Sequence, residues 1–226
     1  MVDDSTDALA MADPLNAEPR RHSRRAARDK LHVLHGARRV IARRGAEATR
    51  FRDVAAETGS AISTLQYSFG SREDLIIAAL EDAAIADFDR VARAVEAADR
   101  PIERLRALVH ESVVAESDPA AREAWLVWVE YWRAAARDGE LRSGSADIYA
   151  RWRALVGGVL ADGRAAGDFR RDLDIDRAAT QVLALLDGVG VPLVLEHPGI
   201  TSAGAAAAVL DALAGILDCA ALRADG

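Results

Sequence analysis

Cysteine is almost absent: Cys219 is the one example in 226 residues. A disulfide framework within the chain is excluded, and a reducing compartment fits. Aromatic residues are scarce at 5%, while Ala and Leu, at the top of the helix-propensity scale, abound. No run of apolar residues reaches the length of a membrane span. Residues 1–19 carry Asp3, Asp4, Asp7, Asp13 and Glu18 without one basic group, so the basic start of a secretory leader is missing. That stretch reads as an acidic disordered tail, and with it the chain reads as cytoplasmic. Catalytic signatures are missing as well. There is no phosphate-cradling glycine loop, no nucleophile elbow and no paired-cysteine site. His22, His32, His35, His110 and His197 are scattered, and His32 and His35 lie among arginines with no acidic ligand pair beside them. The sequence supports neither an enzyme nor a metal or cofactor site.

What is present is charge asymmetry. The net charge of −7 hides a basic segment at 20–72, with 13 Arg and Lys against 4 Asp and Glu. The remainder, 73–226, has 16 against 27. One basic segment in an acidic chain points to a polyanion partner for that segment, or to a solvated basic helix with none. The basic residues are arginines except for Lys30.

Hydrophobic spacing predicts an all-α chain of about nine helices. The first covers 24–44, with Leu31, Leu34, Ala37 and Ile41 inward and Gly45 as its stop. Thr49 is placed to cap a second helix, with Phe51, Val54, Ala55 and Thr58 inward. Gly59 makes a turn, and a short third helix runs to Phe69 with Ile62, Leu65 and Phe69 buried. Ser71 and Asp74 form a capping box that opens a long helix to about residue 98. Further helices are expected at 101–115, 119–137, 144–166 and 174–195. A last one, capped by Thr201 or Ser202, should run to 222. The division that follows is a tail at 1–23, a helix-turn-helix at 24–70 and a helical body at 71–226.

A supporting helix followed by two short helices across a tight glycine turn is the helix-turn-helix arrangement. On the third helix Ser63, Thr64 and Tyr67 point away from the buried side, with Gln66 and Ser68 on the flanks. Short polar hydrogen-bonders of this kind suit base and phosphate contact. The run Arg52-Asp53-Val54-Ala55-Ala56-Glu57-Thr58-Gly59, then Leu65 and Phe69-Gly70-Ser71-Arg72-Glu73-Asp74-Leu75, resembles the DNA-binding segment of the TetR family. The stretch 124–195 is similar to the C-terminal domain of its betaine-pathway repressor subgroup. The resemblance implies a homodimer on a palindromic double-stranded DNA operator, usually repressing, and released by a small-molecule effector. It places Thr49, Arg50 and Arg52 at phosphates or bases. Ser63, Thr64, Gln66, Tyr67 and Ser68 fall on the reading helix, and Arg72 at a phosphate held also by the helix N-terminus. Ser60-Ala61 departs from the family's usual pair, so Ser60 is a candidate cap. Arg20, Arg21, Arg24 and Arg25 are either further DNA contacts or a solvated charge run.

In the body, Trp125, Trp128 and Trp132 recur on one helical face. Trp152 and Phe88 come from neighbouring helices and His110 from another. Such a stripe is either plain core or the wall of an effector pocket. Tryptophan faces attract cations, so a quaternary ammonium ligand is one candidate and a flat apolar molecule another. Val182, Leu185, Leu186, Val189 and Leu193, then Ala206, Val209, Leu210, Leu213 and Leu217, mark the last two helices, with Ala184, Gly188, Gly190 and Ala205 allowing close approach. The family resemblance makes these the dimer interface; ordinary internal packing is the alternative. An architectural DNA-binding protein without effector is the second functional reading.

Overall fold

The computed structural model describes residues 17–113 and 119–223. The acidic tail before residue 17 lies outside them, as do the side chains of Arg20, Arg21, Arg24 and Arg25. Nine α-helices account for the described residues: α1 (Ala17–Arg44), α2 (Phe51–Thr58), α3 (Ile62–Phe69), α4 (Arg72–Ala97), α5 (Pro101–Val113), α6 (Pro119–Ala135), α7 (Gly139–Ala166), α8 (Ile175–Val194) and α9 (Ser202–Leu217). A single 3-10 turn, Ala220–Leu222, follows. No strand occurs among the described residues.

Most helix starts follow from their caps. The Ser71 hydroxyl accepts from the Asp74 N–H at 3.0 Å, while the Asp74 carboxylate accepts from the Ser71 N–H at 3.2 Å. Asp174 and Thr201 accept from the N–H groups of Arg177 and Gly204 and open α8 and α9. Several starts and stops differ from the sequence expectation. Helix α1 begins at Ala17 instead of residue 24, inside the expected tail. Helix α7 begins at Gly139, because Asp138 accepts from the Leu141 N–H at 3.1 Å. Arg50, not Thr49, occupies the cap position of α2, where its N–H donates to Asp53 at 2.9 Å. Ala61, not Ser60, precedes α3, with no side-chain cap. Helix α9 stops at Leu217 because Asp218 turns left-handed, at φ 53°.

Two apolar clusters hold the chain together. One joins the C-terminal end of α4, through Val91 and Val95, to α5, α7, α8 and α9, with Leu105, Leu108, Val156, Leu160, Val182 and Leu213 buried in it. The other begins in the DNA-binding head with Val40 and Ile41 of α1, Val54 of α2 and Leu65 of α3. It continues along α4 through Leu75, Leu80 and Ala84 to Val127 and Tyr131 of α6 and Ile148 of α7. Head and body therefore share one core. Gly36 permits the tight seat of α1 on α2, since a Cβ there would stand 2.2 Å from the Thr58 methyl group.

Helix α8 is long and apolar enough to cross a membrane, with a mean hydropathy of 1.3, contrary to the expectation that no segment is. It packs instead against α5, α6, α7 and α9, burying Ala178, Val182, Leu183, Leu186 and Leu193. Most apolar residues expected at a dimer face thus pack inside the chain: Val182, Leu186, Leu193, Val209, Leu213 and Leu217 are buried. The outward face of α8 carries Ala184, Asp187, Gly188 and Val191, with Leu195 following at its cap.

Candidate nucleic-acid interface and effector cavity

Leu65 and Phe69 seat α3 on the head core, and Gly59 turns the chain between α2 and α3 with a φ of 69°. The opposite side of α3 is open to solvent. Ser63, Thr64, Gln66, Tyr67 and Ser68 are all exposed there, Tyr67 at 93%. Ile62, expected inward, is also exposed, at 44%. At the first position of a short helix it projects past the core and presents an apolar group beside the polar row.

Arg52 is exposed at the start of α2, with Asp53 4.0 Å away. Arg50 donates to the Thr49 carbonyl at 3.1 Å and to that of Glu47. The Thr49 side chain is fully buried and its hydroxyl donates to Gly45 O at 2.8 Å, so it is turned away from any surface ligand. Arg72 donates to Ala46 O at 2.9 Å and Thr49 O at 3.0 Å, which ties the start of α4 to the loop before α2. Three other arginines bolt α2 onto α1. Arg39 and Arg43 both donate to Glu57, and Arg44 donates to Asp53. The two Glu57 hydrogen bonds hold its carboxyl below the usual carboxylate range. Burial pushes the Asp53 carboxyl up, but the Arg50 N–H and Arg44 outweigh it and the net shift is downward. Much of the basic excess in this segment is thus structural.

The tryptophan stripe of α6 meets α4, α5, α7 and α8 around a cavity of about 100 Å³. Trp125, Trp128, Trp132, Tyr149 and Trp152 line it. Trp128 and Trp132 have ring centroids 5.8 Å apart, and Trp125 and Trp132 6.2 Å. The indole N–H groups are tied into the wall, that of Trp128 to the Asp87 carboxylate at 2.9 Å and that of Trp125 to Ser112 O at 3.2 Å. Gly190 brings α8 close enough that a Cβ there would stand 1.9 Å from the Trp125 ring. Its smallness serves the cavity, where the sequence suggested a dimer contact.

Two of the expected pocket residues lie elsewhere. Phe88 sits behind Trp152, edge to face at 5.2 Å, and beneath the Arg151 guanidinium at 4.2 Å. His110 is 69% exposed and 4.0 Å from Glu111, outside the aromatic walls. In their place the cavity holds Asp187 of α8. The residue is exposed at the cavity mouth, its carboxyl has no partner among the described residues, and partial desolvation by the neighbouring pocket wall pushes it above the usual carboxylate range. It remains reachable by solvent through the cavity mouth. Among the described residues the wall carries three carboxylates, those of Asp87, Glu111 and Asp187, against one guanidinium, that of Arg90. Asp187 and Tyr149 were not singled out in the sequence. A signal existed for Asp187: it is the one charged residue in the apolar run 182–194.

The outer face of α6 contacts the head. Arg38 of α1 donates to Glu123 at 2.9 Å, the Ala46 N–H donates to Glu130 at 3.1 Å, and Arg133 pairs with Glu47. One helix therefore carries both the cavity wall and a clamp on the loop that positions α2.

Comparison with known proteins agrees with this anatomy. Residues 33–79 match the bacterial regulatory proteins of the tetR family. Residues 101–218, more than half of the chain, match the BetI-type transcriptional repressor C-terminal domain. The chain belongs to the TetR family. Among its relatives is the HTH-type transcriptional repressor KstR2 of Mycolicibacterium smegmatis, 31% identical over 188 residues, covering 76% of this chain and 84% of the relative. The HTH-type transcriptional regulator BetI of Rhizobium meliloti is 29% identical over 169 residues, covering 75% and 79%. A regulator from Saccharomonospora viridis, solved in complex with choline, superposes with a TM-score of 0.75 at 29% identity, covering 82% of this chain and 95% of that one. This TetR-family protein is a DNA-binding transcriptional regulator, and members of its family are regulators, not enzymes.

Proposed function

We propose that this TetR-family regulator binds a palindromic operator as a homodimer and releases it when a small organic cation enters the tryptophan cavity. The observation that carries the effector class is the unpaired Asp187 carboxylate in a cavity walled by four indoles. An aromatic wall attracts a cation through the ring quadrupoles, and the Asp187 carboxylate at its mouth adds a charge partner. The choline complex of the Saccharomonospora viridis relative supports the same chemistry.

On the DNA side, Ser63, Thr64, Gln66, Tyr67 and Ser68 read the major groove, with Ile62 beside them for apolar contact to a thymine methyl. Arg50 and Arg52 meet phosphates, while Arg72 and Thr49 shape the loop that presents them. Repression acts where the chromosome is, in the cytoplasm. The exposed Ala184, Gly188, Val191 and Leu195 stripe supports dimerisation, and twofold symmetry then gives the operator its palindrome. Release follows from population shift: a cation that prefers one arrangement of α6 biases the head through Glu123, Glu130 and Arg133.

The test is a titration against DNA from the gene's own upstream region at two salt concentrations. Tight, salt-dependent binding is expected, weakened at least tenfold by Arg52→Ala and by Tyr67→Ala. Choline or betaine aldehyde at millimolar levels should quench tryptophan emission and lower operator affinity. Asp187→Asn should weaken the cation by about threefold, the scale of one solvent-exposed charge contact. No quenching by either compound would sink the cation assignment.

A further inference from the structure

A second cavity adjoins the cage. Its volume is about 250 Å³, against about 100 Å³ for the cage. The two share Asp87, Arg90, Glu111, Ala124 and Trp128, so one layer of side chains divides them. Beyond that layer the wall is apolar, made by Leu80, Ala83, Ala84, Val127 and Tyr131. The alanines of α4 leave space where larger core residues would close it.

The charges on this side are satisfied. Arg90 donates to Asp87 at 2.8 Å, to Glu111 O at 3.0 Å and to the Glu111 carboxylate. Arg38, at the far end, is paired with Glu123. His110 lies at the rim beside Glu111. Among the described residues no unmatched charge lines this compartment to hold an ion, and its apolar wall offers water few partners. It fits an uncharged, apolar group.

We infer that cage and compartment form one binding site for an amphiphilic organic cation: a quaternary ammonium head in the cage and an alkyl chain beyond it. This rests on the cage reading proposed above. The partition is a side chain, not backbone. Arg90 is 40% exposed and has room to swing toward solvent, so a chain can displace it at the cost of its bonds to Asp87 and Glu111, which burial of the chain must offset. The compartment ends at Arg38, on α1 of the head. A chain that fills it wedges between α1 and α6, next to the Arg38–Glu123 pair. Tail length therefore controls DNA release as well as affinity.

The experiment titrates the full-length protein, by tryptophan fluorescence and operator displacement, with tetramethylammonium and its butyl-, hexyl- and octyltrimethylammonium analogues below their micelle concentrations. Affinity should rise about fourfold per methylene until the compartment is full, from the transfer of each methylene out of water. Operator release should rise in step. Ala84→Leu and Val127→Phe fill the compartment from opposite walls. Either one that retains the helical spectrum of the wild type should flatten the series and leave tetramethylammonium binding unchanged. A flat series in the wild type, with tetramethylammonium bound, overturns the inference and leaves the cage standing. A chain-length dependence that survives both substitutions places the tail elsewhere and also overturns it. No binding by any member overturns the cage reading and the extension together.

Discussion

Gly190 shows how much one missing methyl group can decide. The Trp125 ring occupies the volume a side chain at that position would need, and an indole ring yields only by moving as a unit. Gly190→Ala should therefore cost about 1–3 kcal/mol of stability, the usual range for overpacking a core. It should also shift the tryptophan emission and weaken cation binding, because the displaced ring is part of the cage. Thermal melts and fluorescence on the same variant check both. If the melt and the emission match wild type, the close seat of α6 on α8 is not as described. Gly158, on α7, has open space around its Cβ position, so Gly158→Ala serves as the control.

Among the elements, α2 depends on α1 through charge as much as through apolar contact. Glu57 accepts from Arg39 and Arg43, and its folded-state pKa lies below the ordinary value of 4.5. The contribution of a depressed carboxyl is present above its unfolded pKa and is lost as the pH falls through the folded one. Glu57→Gln should thus destabilise the protein at pH 7 by about 1 kcal/mol, the scale of partly exposed pairs. The difference from wild type should shrink as the pH falls below 4.5, which melts at several pH values would record. A constant difference down to pH 3 would contradict the assignment. The helices themselves were largely legible in the sequence, since apolar spacing and caps such as Ser71, Asp174 and Thr201 act locally. The misses have a common cause. Helices α1 and α7 start in charged or polar stretches that lack apolar periodicity but have good helix formers. Ile62 keeps the helical spacing, yet a helix of eight residues rests on its support only through Leu65 and Phe69. Thr49, Arg72 and Asp187 were each assigned by sequence neighbours, or passed over, when tertiary packing decides what their side chains meet. That an acid stood alone in the apolar run of α8 could be read. That four indoles line the same cavity could not, because they come from two other helices.

For the whole molecule, the outward stripe of α8 is the feature with the clearest consequence. Val191 is 41% exposed and Leu195 71%, an apolar face that a lone chain leaves in water. Val191→Glu should yield a folded monomer by sedimentation at micromolar concentration, with helical content retained. Operator affinity should fall by at least a hundredfold, because two reading helices are no longer held at a fixed spacing. A dimer surviving that substitution would move the interface elsewhere. The unbroken core from α1 to Ile148 bears on how such proteins can be recombined. A chimaera joined at Ser71, giving this body another relative's reading helix, would inherit a foreign α1 against the native α4 and α6, which would lose Val40, Ile41 and Arg38 as their partners. Specificity is better transplanted by exchanging the outer residues of α3 alone, because the grammar of the head is written partly in the body.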